Sequence, residues 1–156
     1  MKKAIFFLLV LAVGVVGAKS FDVNLLTGKT WICEAGFDEV EAGVKGKSKS
    51  ESVFRKDGTF TGKSITSFIE PQKYTLETTE TGTWRLEEDE LITKVKTYNI
   101  TSKDAPEIAK NFEQIYKMLQ QQGNIEEEID IITELTKNRL VFEREDSEVV
   151  DECKAK

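Results

Sequence analysis

Histidine is absent from the 156-residue sequence, and this absence bounds the chemistry that the chain can perform. Without an imidazole there is no Ser-His-Asp or Cys-His nucleophile–base pair, and no zinc or copper site with a histidine ligand. The sequence also lacks a glycine-rich phosphate loop of the P-loop or dinucleotide type, so we expect no cofactor. Carboxylate chemistry remains, because Asp and Glu together number 28.

Some of the carboxylates are grouped in three runs: EEDE at 87–90, EEE at 126–128 and EREDSE at 143–148. Two carboxyl groups facing each other in a cleft act as acid and base in glycosidase-type reactions, and carboxylate oxygens also bind calcium. None of the runs has the ligand spacing of an EF-hand loop, and charge runs are usually solvated. We therefore expect a non-enzymatic protein without a metal. A carboxylate-based hydrolase remains an open alternative.

Residues 1–18 have the pattern of a secretory signal peptide. Lys2 and Lys3 precede an apolar run, and small residues lead to a predicted cleavage after Ala18. The apolar run is shorter than the roughly 20 residues that a membrane-spanning helix needs. The sequence predicts export to the bacterial periplasm or the extracellular space, without stable membrane insertion after cleavage. Residues 19–156 suit a single domain.

Cys33 and Cys153 are the two cysteines of the chain. In an oxidising compartment an even number of cysteines predicts a disulfide, and two separate thiols are the alternative. The formal net charge of −6 makes nucleic acid or an anionic membrane surface a poor partner. The acidic balance serves solubility or a basic protein partner.

Alternation of apolar and polar residues predicts antiparallel strands along much of the chain. In residues 74–87, Tyr74, Leu76 and Trp84 share one face, and the other face is wholly polar. Gly82 in this segment indicates a bulge or a close approach of backbone. The segment is therefore predicted to be a half-buried strand.

The Gly/Ser/Lys-rich residues 43–52 contain little that could be buried and are predicted to form a loop. A hairpin follows, in which Gly58 suits the left-handed position of a three-residue turn and sets Phe54 opposite Phe60.

Residues 125–135 also alternate, with isoleucines on one face and Glu128 and Asp130 mostly on the other. The pattern predicts a strand whose isoleucines face the core and whose carboxylates face solvent.

One helix is predicted over residues 104–123, with Asp104 and Glu107 as a capping box and Gly123 at the C-terminal end. Its single apolar stripe is expected to pack on a sheet or plug a barrel end, and a partner-binding face is the alternative. The stripe consists of Ile108, Phe112, Ile115 and Leu119.

These elements predict a mainly β fold, an antiparallel up-and-down barrel of about seven or eight strands with one amphipathic helix. A barrel is favoured over a two-sheet sandwich because closure removes exposed edges. Eight strands enclose an interior that side chains fill or that holds one small ligand. The candidate cavity-lining residues are aromatic side chains on predicted strand faces: Phe54, Phe60, Phe68, Tyr74, Trp84 and Phe142.

Four stretches in this order resemble the lipocalin-like proteins of bacteria, within the calycin group of barrels. They are LLTGKTW at 25–31, FRKDGTF at 54–60, YTLETTETGTWRLEEDEL at 74–91 and NRLVFERED at 138–146. The resemblance implies that Gly28 and Trp31 lie at the closed end of the barrel with Arg144 against Trp31, a cation–π contact. The Cys33–Cys153 pair is similar to the tail-to-barrel bridge of secreted relatives.

Export, the alternating strands and the inward aromatic residues together favour a binding protein that holds a small apolar or amphipathic ligand in the barrel. The alternative is a periplasmic interaction or inhibitor module that contacts a protein partner through its acidic surface or its helix.

Overall fold

The structure of the protein is a computed structural model, which describes residues 20–39, 43–123, 125–144 and 150–156. The predicted signal peptide at 1–18 lies outside these residues. The elements in chain order are α1 (Val23–Leu26), β1 (Thr30–Glu39), β2 (Val44–Phe54), β3 (Thr59–Glu70), β4 (Tyr74–Glu87), β5 (Glu90–Thr101), α2 (Pro106–Gln121), β6 (Glu128–Leu135), β7 (Arg139–Arg144) and β8 (Val150–Ala155).

Each strand pairs antiparallel with the next, and β8 pairs with β1, so the sheet closes into an up-and-down barrel. The predicted fold class is confirmed. Strands β1 to β5 contain 10 to 14 residues, whereas β6 to β8 contain 6 to 8. The short strands pair only near the end where β1 begins, over Glu90–Thr93 of β5 and Trp31–Cys33 of β1. We call this end the closed end and the opposite end the open end.

The closed end is sealed by an apolar core beneath α1. Leu26 and Trp31 are fully buried, and the Trp31 indole Nε1 donates a hydrogen bond to the Leu26 carbonyl at 2.8 Å. Gly28 has φ +77°, and its N–H donates to the carbonyl of Phe54 at 3.2 Å. Lys29 Nζ lies 5.2 Å from the centre of the Trp31 ring. Gly28 and Trp31 therefore lie at the closed end, as the resemblance implied.

The expectation that Arg144 lies against Trp31 is wrong. Strand β7 starts at the closed end, where Leu140 pairs with Cys153. Arg144 is four residues further along β7, about 13 Å toward the open end at the usual rise of a strand. There its Nε lies 3.6 Å from a Glu128 carboxylate oxygen. The cation over Trp31 is Lys29 instead.

The predicted loop at 43–52 is also wrong, because these residues form most of β2. Their lysines face solvent, where Lys45 and Lys49 form ion pairs of 3.0 and 2.7 Å with carboxylates of β1. The alternating residues face the interior of the barrel: Ser48, Ser50 and Ser52. Alternation was present in the sequence, but the inward residues are small and polar, so no hydrophobic signal marked the strand.

Gly82 confirms both interpretations of its position. The β4–β5 register shifts between Thr81 and Gly82, which is a bulge. A Cβ added at Gly82 would lie 2.6 Å from the Phe60 ring and would also contact the backbone carbonyl of Lys94. The missing side chain thus lets Phe60 lie across β4 and face Phe54, its partner in the confirmed β2–β3 hairpin.

Gly82→Ala is therefore expected to lower the free energy of unfolding by about 1–3 kcal/mol, because a rigid backbone atom cannot move aside cheaply. Gly36→Ala in β1 is the control, because a Cβ added there would lie 3.9 Å from the nearest atom. This control substitution should change the free energy of unfolding by less than about 0.5 kcal/mol. Urea denaturation of both variants measures the difference. Equal effects would contradict the close approach.

Helix α2 begins with Pro106 in its first turn and is followed by Gly123 at φ +71°, as predicted. The predicted capping box is wrong, because the N-cap residue is Ala105 and no side chain caps the helix. Asp104 instead accepts a hydrogen bond from the Thr75 N–H at 3.1 Å. The carboxylate therefore ties the β5–α2 connection to β4.

The helix packs along β5 in the region that β6 leaves unpaired. Ala109 is buried against Leu76 and Ile100, and the rings of Tyr116 and Tyr98 stack with centroids 4.3 Å apart. Among the described residues, no helix is long and apolar enough to cross a membrane.

The predicted packing stripe of α2 is wrong for most of its members. Phe112, Ile115 and Leu119 are 43%, 51% and 37% exposed, and Met118 beside them is 49% exposed. Small Ala109 and flat Tyr116 form the packing face because they allow the helix to approach β5 closely. The larger side chains are left facing outward.

Candidate functional site

A cavity of about 320 Å³ lies inside the barrel above the closed-end core. Its floor is aromatic and is formed by Trp31, Phe54, Phe60 and Phe142. Its walls are largely polar, although the barrel interior was predicted to be lined by aromatic residues. This volume is at the lower end of the range for sites that bind small organic molecules.

One wall of the cavity consists of serines on β2 and β3. Ser50 and Ser64 are paired across the two strands, and Ser48 forms a 3.2 Å hydrogen bond with the Thr66 hydroxyl two pairs further along. Small side chains at these positions keep the volume open, because larger ones would fill it. The hydroxyls offer hydrogen-bond donors and acceptors to an occupant.

Carboxylates from three other strands also line the cavity. They are Glu80 on β4, Glu128 and Asp130 on β6, and Asp151 on β8. Arg144 on β7 also lines the cavity and lies 3.6 Å from Glu128. A single cation therefore accompanies these carboxylates among the described lining residues.

The prediction that Asp130 faces solvent is wrong, because its residue is 8% exposed, whereas Glu128 lines the cavity with a side chain that is 53% exposed. The β6–β7 register shifts between Ile132 and Glu134, so Ile132 and Leu135 both point inward, with exposures of 1% and 7%. Counting back from Ile132 in steps of two places Asp130 and Glu128 on the inner face. The isoleucines of the predicted core face are only half-buried.

Asp130 is the most perturbed carboxyl group of the cavity. Its residue is 8% exposed, and its Oδ1 atom is buried without a hydrogen-bond partner in the described part of the chain. Burial raises the pKa of Asp130 to about 7, and the charge of Glu128 adds to the rise; Arg144 opposes it, and Asp151 contributes further. Close to neutral pH, this carboxyl group therefore exists in both protonation states.

The Glu80 side chain occupies space that the absence of a side chain at Gly62 leaves free. It is paired with Gly62 across β3 and β4, and a Cβ added at Gly62 would contact the Glu80 carboxylate. Burial raises the pKa of Glu80, and the charge of Glu128 raises it further. The carboxylates of β4 and β6 therefore line one cavity and carry charges of the same sign.

The burial of Asp130 predicts a pH-dependent stability. Because its pKa is near 7 in the folded state and near 3.8 when solvated, its stabilising contribution is full below pH 3.8 and is lost as the pH rises to 7. Asp130→Asn should remove this loss and raise the free energy of unfolding at pH 8 by about 1–3 kcal/mol.

Urea denaturation of both proteins between pH 4.5 and 8 measures this effect. The control is Glu143→Gln, which removes a carboxylate from the exposed face of β7. An identical pH profile for wild type and Asp130→Asn would contradict the buried position of the carboxyl group.

The predicted aromatic lining is only partly correct. Phe54, Phe60 and Phe142 line the cavity, whereas the other three predicted residues do not. Trp84 lies in the closed-end core, with its Nε1 donating to the carbonyl of Arg55 at 3.0 Å. Phe68 and Tyr74 stack on each other with ring centroids 4.4 Å apart, near α2. Periodicity identified their face but not their height in the barrel.

The predicted disulfide between Cys33 and Cys153 is confirmed. The two residues are directly paired across β1 and β8, and Cys33 lines the cavity. The bond therefore closes the seam of the barrel beside the site.

The arrangement can bind a polar or cationic group at the carboxylates and an apolar group at the floor. Two carboxyl groups in one cavity also meet the first geometric requirement of a carboxylate hydrolase. Within the described ranges, no three Asp, Glu or Cys side chains are grouped so as to hold a metal ion.

No protein-family model matches the chain, and no curated protein matches it. The cavity and the residues that line it are therefore the basis for the proposed function.

Proposed function

We propose that the protein is a non-enzymatic, lipocalin-like binding protein that holds a small amphipathic organic molecule in its barrel. The observation that carries the proposal is the cavity itself, which combines an aromatic floor with polar walls. An apolar part of the ligand gains by leaving water at the floor. A polar part meets hydroxyls and carboxylates at the walls, which favours an amphipathic ligand over a purely apolar one.

We also propose that the protein works in the periplasm or outside the cell. The disulfide supports this location, because such bonds persist in oxidising compartments. The signal-like sequence at residues 1–18 supports it independently.

The binding proposal is tested with a neutral naphthylamine dye whose fluorescence rises in apolar surroundings. Ser64→Phe places a ring in the cavity, whereas Ile65→Phe places one on the outer face of the same strand, where Ile65 is 45% exposed. We expect dye binding by wild type and by Ile65→Phe, and its loss in Ser64→Phe. Equal fluorescence from all three proteins, or none from wild type, would count against a binding cavity.

A second candidate function is a protein–protein interaction through α2. The observation that favours it is the exposed apolar stripe formed by Phe112, Ile115, Met118 and Leu119. The test compares proteins retained by wild type and by Ile115→Ser under the same conditions. A partner retained equally by both would exclude this stripe as the contact surface.

A further inference from the structure

We infer that the ligand of the cavity is an organic cation, a protonated amine or quaternary ammonium carried on a small apolar body. The inference rests on the proposed binding function and adds to it the charge of the ligand. It follows from three features of the cavity: an excess of carboxylates, an unpaired buried oxygen, and an aromatic floor.

The carboxylates outnumber the cations in the cavity. Glu80, Glu128, Asp130 and Asp151 face it, and Arg144 is the one basic residue among its described lining residues. Arg144 is half-exposed and lies at a long 3.6 Å from Glu128, so its charge is shared with solvent. An occupant with a positive charge would relieve repulsion that the protein leaves uncompensated.

Asp130 provides an observation independent of the charge count. Its Oδ1 atom is buried and has no hydrogen-bond partner among the described residues, although its residue is more than nine-tenths buried. An unsatisfied buried acceptor is costly, and proteins usually pair such atoms. A ligand ammonium in the cavity would supply the missing donor together with the opposite charge.

The aromatic floor of the cavity favours an organic cation over an inorganic metal ion. Phe54, Phe60 and Phe142 offer ring surface in the same cavity. Ring faces attract cations and bury apolar groups, so they suit an alkyl or aryl body with an ammonium head. The small serine side chains of β2 and β3 leave room for that body.

The test uses three compounds that share one body and differ in head group: 4-phenylbutylamine, 4-phenylbutanol and 4-phenylbutyrate. Isothermal titration at pH 8 measures the affinity of the purified protein for each. We expect the amine to bind at least about tenfold more tightly than the alcohol, because it makes charge-assisted hydrogen bonds. The carboxylate should bind more weakly than the alcohol.

Two variants locate the effect. Asp130→Asn keeps the shape of the side chain and should lower the affinity for the amine by about tenfold while leaving that for the alcohol unchanged. Glu143→Gln removes one charge from the outside of β7 and should change neither affinity. A loss of amine affinity in both variants would show a general charge effect and overturn the assignment to Asp130.

The outcomes separate this inference from the binding function itself. Equal affinities for the three heads, or failure of all three compounds while the neutral dye still binds, would overturn the cation and leave the binding function standing. Failure of the dye as well would overturn both. Displacement of the amine by millimolar calcium, with calcium binding more tightly than the amine, would replace the organic cation by a metal ion.

Discussion

Replacing Trp31 by alanine is expected to lower the free energy of unfolding by about 3–5 kcal/mol, the usual cost of removing a large buried aromatic side chain. Trp31 is fully buried in the closed-end core, and its indole N–H donates a 2.8 Å hydrogen bond to the Leu26 carbonyl. The substitution removes both the packing of the indole ring and its hydrogen bond to the last residue of α1. Chemical denaturation measures the loss.

Trp31→Phe separates these two contributions. Phenylalanine keeps much of the buried ring but leaves the Leu26 carbonyl without its donor, so we expect a smaller loss of about 1–3 kcal/mol. Ile69→Ala on the surface is the control, because Ile69 is 40% exposed. A loss for Trp31→Ala no larger than that for Ile69→Ala would contradict the sealed closed end.

Removal of the disulfide is the second large expected effect. The double variant Cys33→Ala/Cys153→Ala should lose about 2–5 kcal/mol, because the bond joins residues 120 positions apart in the sequence. It also joins β1 to β8, which share only the pairs from Trp31 to Cys33 on the β1 side. The loss should appear as a lower urea midpoint.

A reducing agent provides the control for this variant. Dithiothreitol should lower the stability of wild type toward that of the double variant and leave the double variant unchanged. A double variant as stable as oxidised wild type would show that the seam is held by the strands alone.

The fold was predictable because most strands carry an apolar alternation or a turn signal. The alternation in residues 74–87 predicts a half-buried strand, and the structure forms one there. The turn signal at Gly58 predicts that Phe54 lies opposite Phe60, and the two residues are paired in the structure. Both features depend on local chemistry, which a single sequence contains.

The candidate site was not predictable in the same way, because its residues are polar and face inward. The serines of β2 alternate with lysines, but without apolar residues the sequence carries no hydrophobic signal of a strand there. In β6 the bulge between Ile132 and Glu134 changes which side chains face the core. A bulge depends on pairing with the neighbouring strand, so the phase of Glu128 and Asp130 could not be read from β6 alone.

The sequence also did not show how far along the barrel axis a residue lies. Alternation assigned Phe60, Phe68 and Arg144 to strand faces, but it did not distinguish the closed end from the open end. The two ends differ because the strands have unequal lengths: β1 to β5 extend further toward the open end than β6 to β8 do. Arg144 therefore reaches Glu128 and not Trp31.

Asp130, as a buried carboxyl group of the cavity, is the residue on which cation binding depends most. Carbon-13 NMR of labelled aspartate, titrated with and without 4-phenylbutylamine, follows this group directly. We predict a midpoint near the pKa of about 7 in the free protein, and a clear downward shift when the amine is bound. A midpoint near 3.8 that the amine leaves unchanged would contradict both the buried site and its cationic ligand.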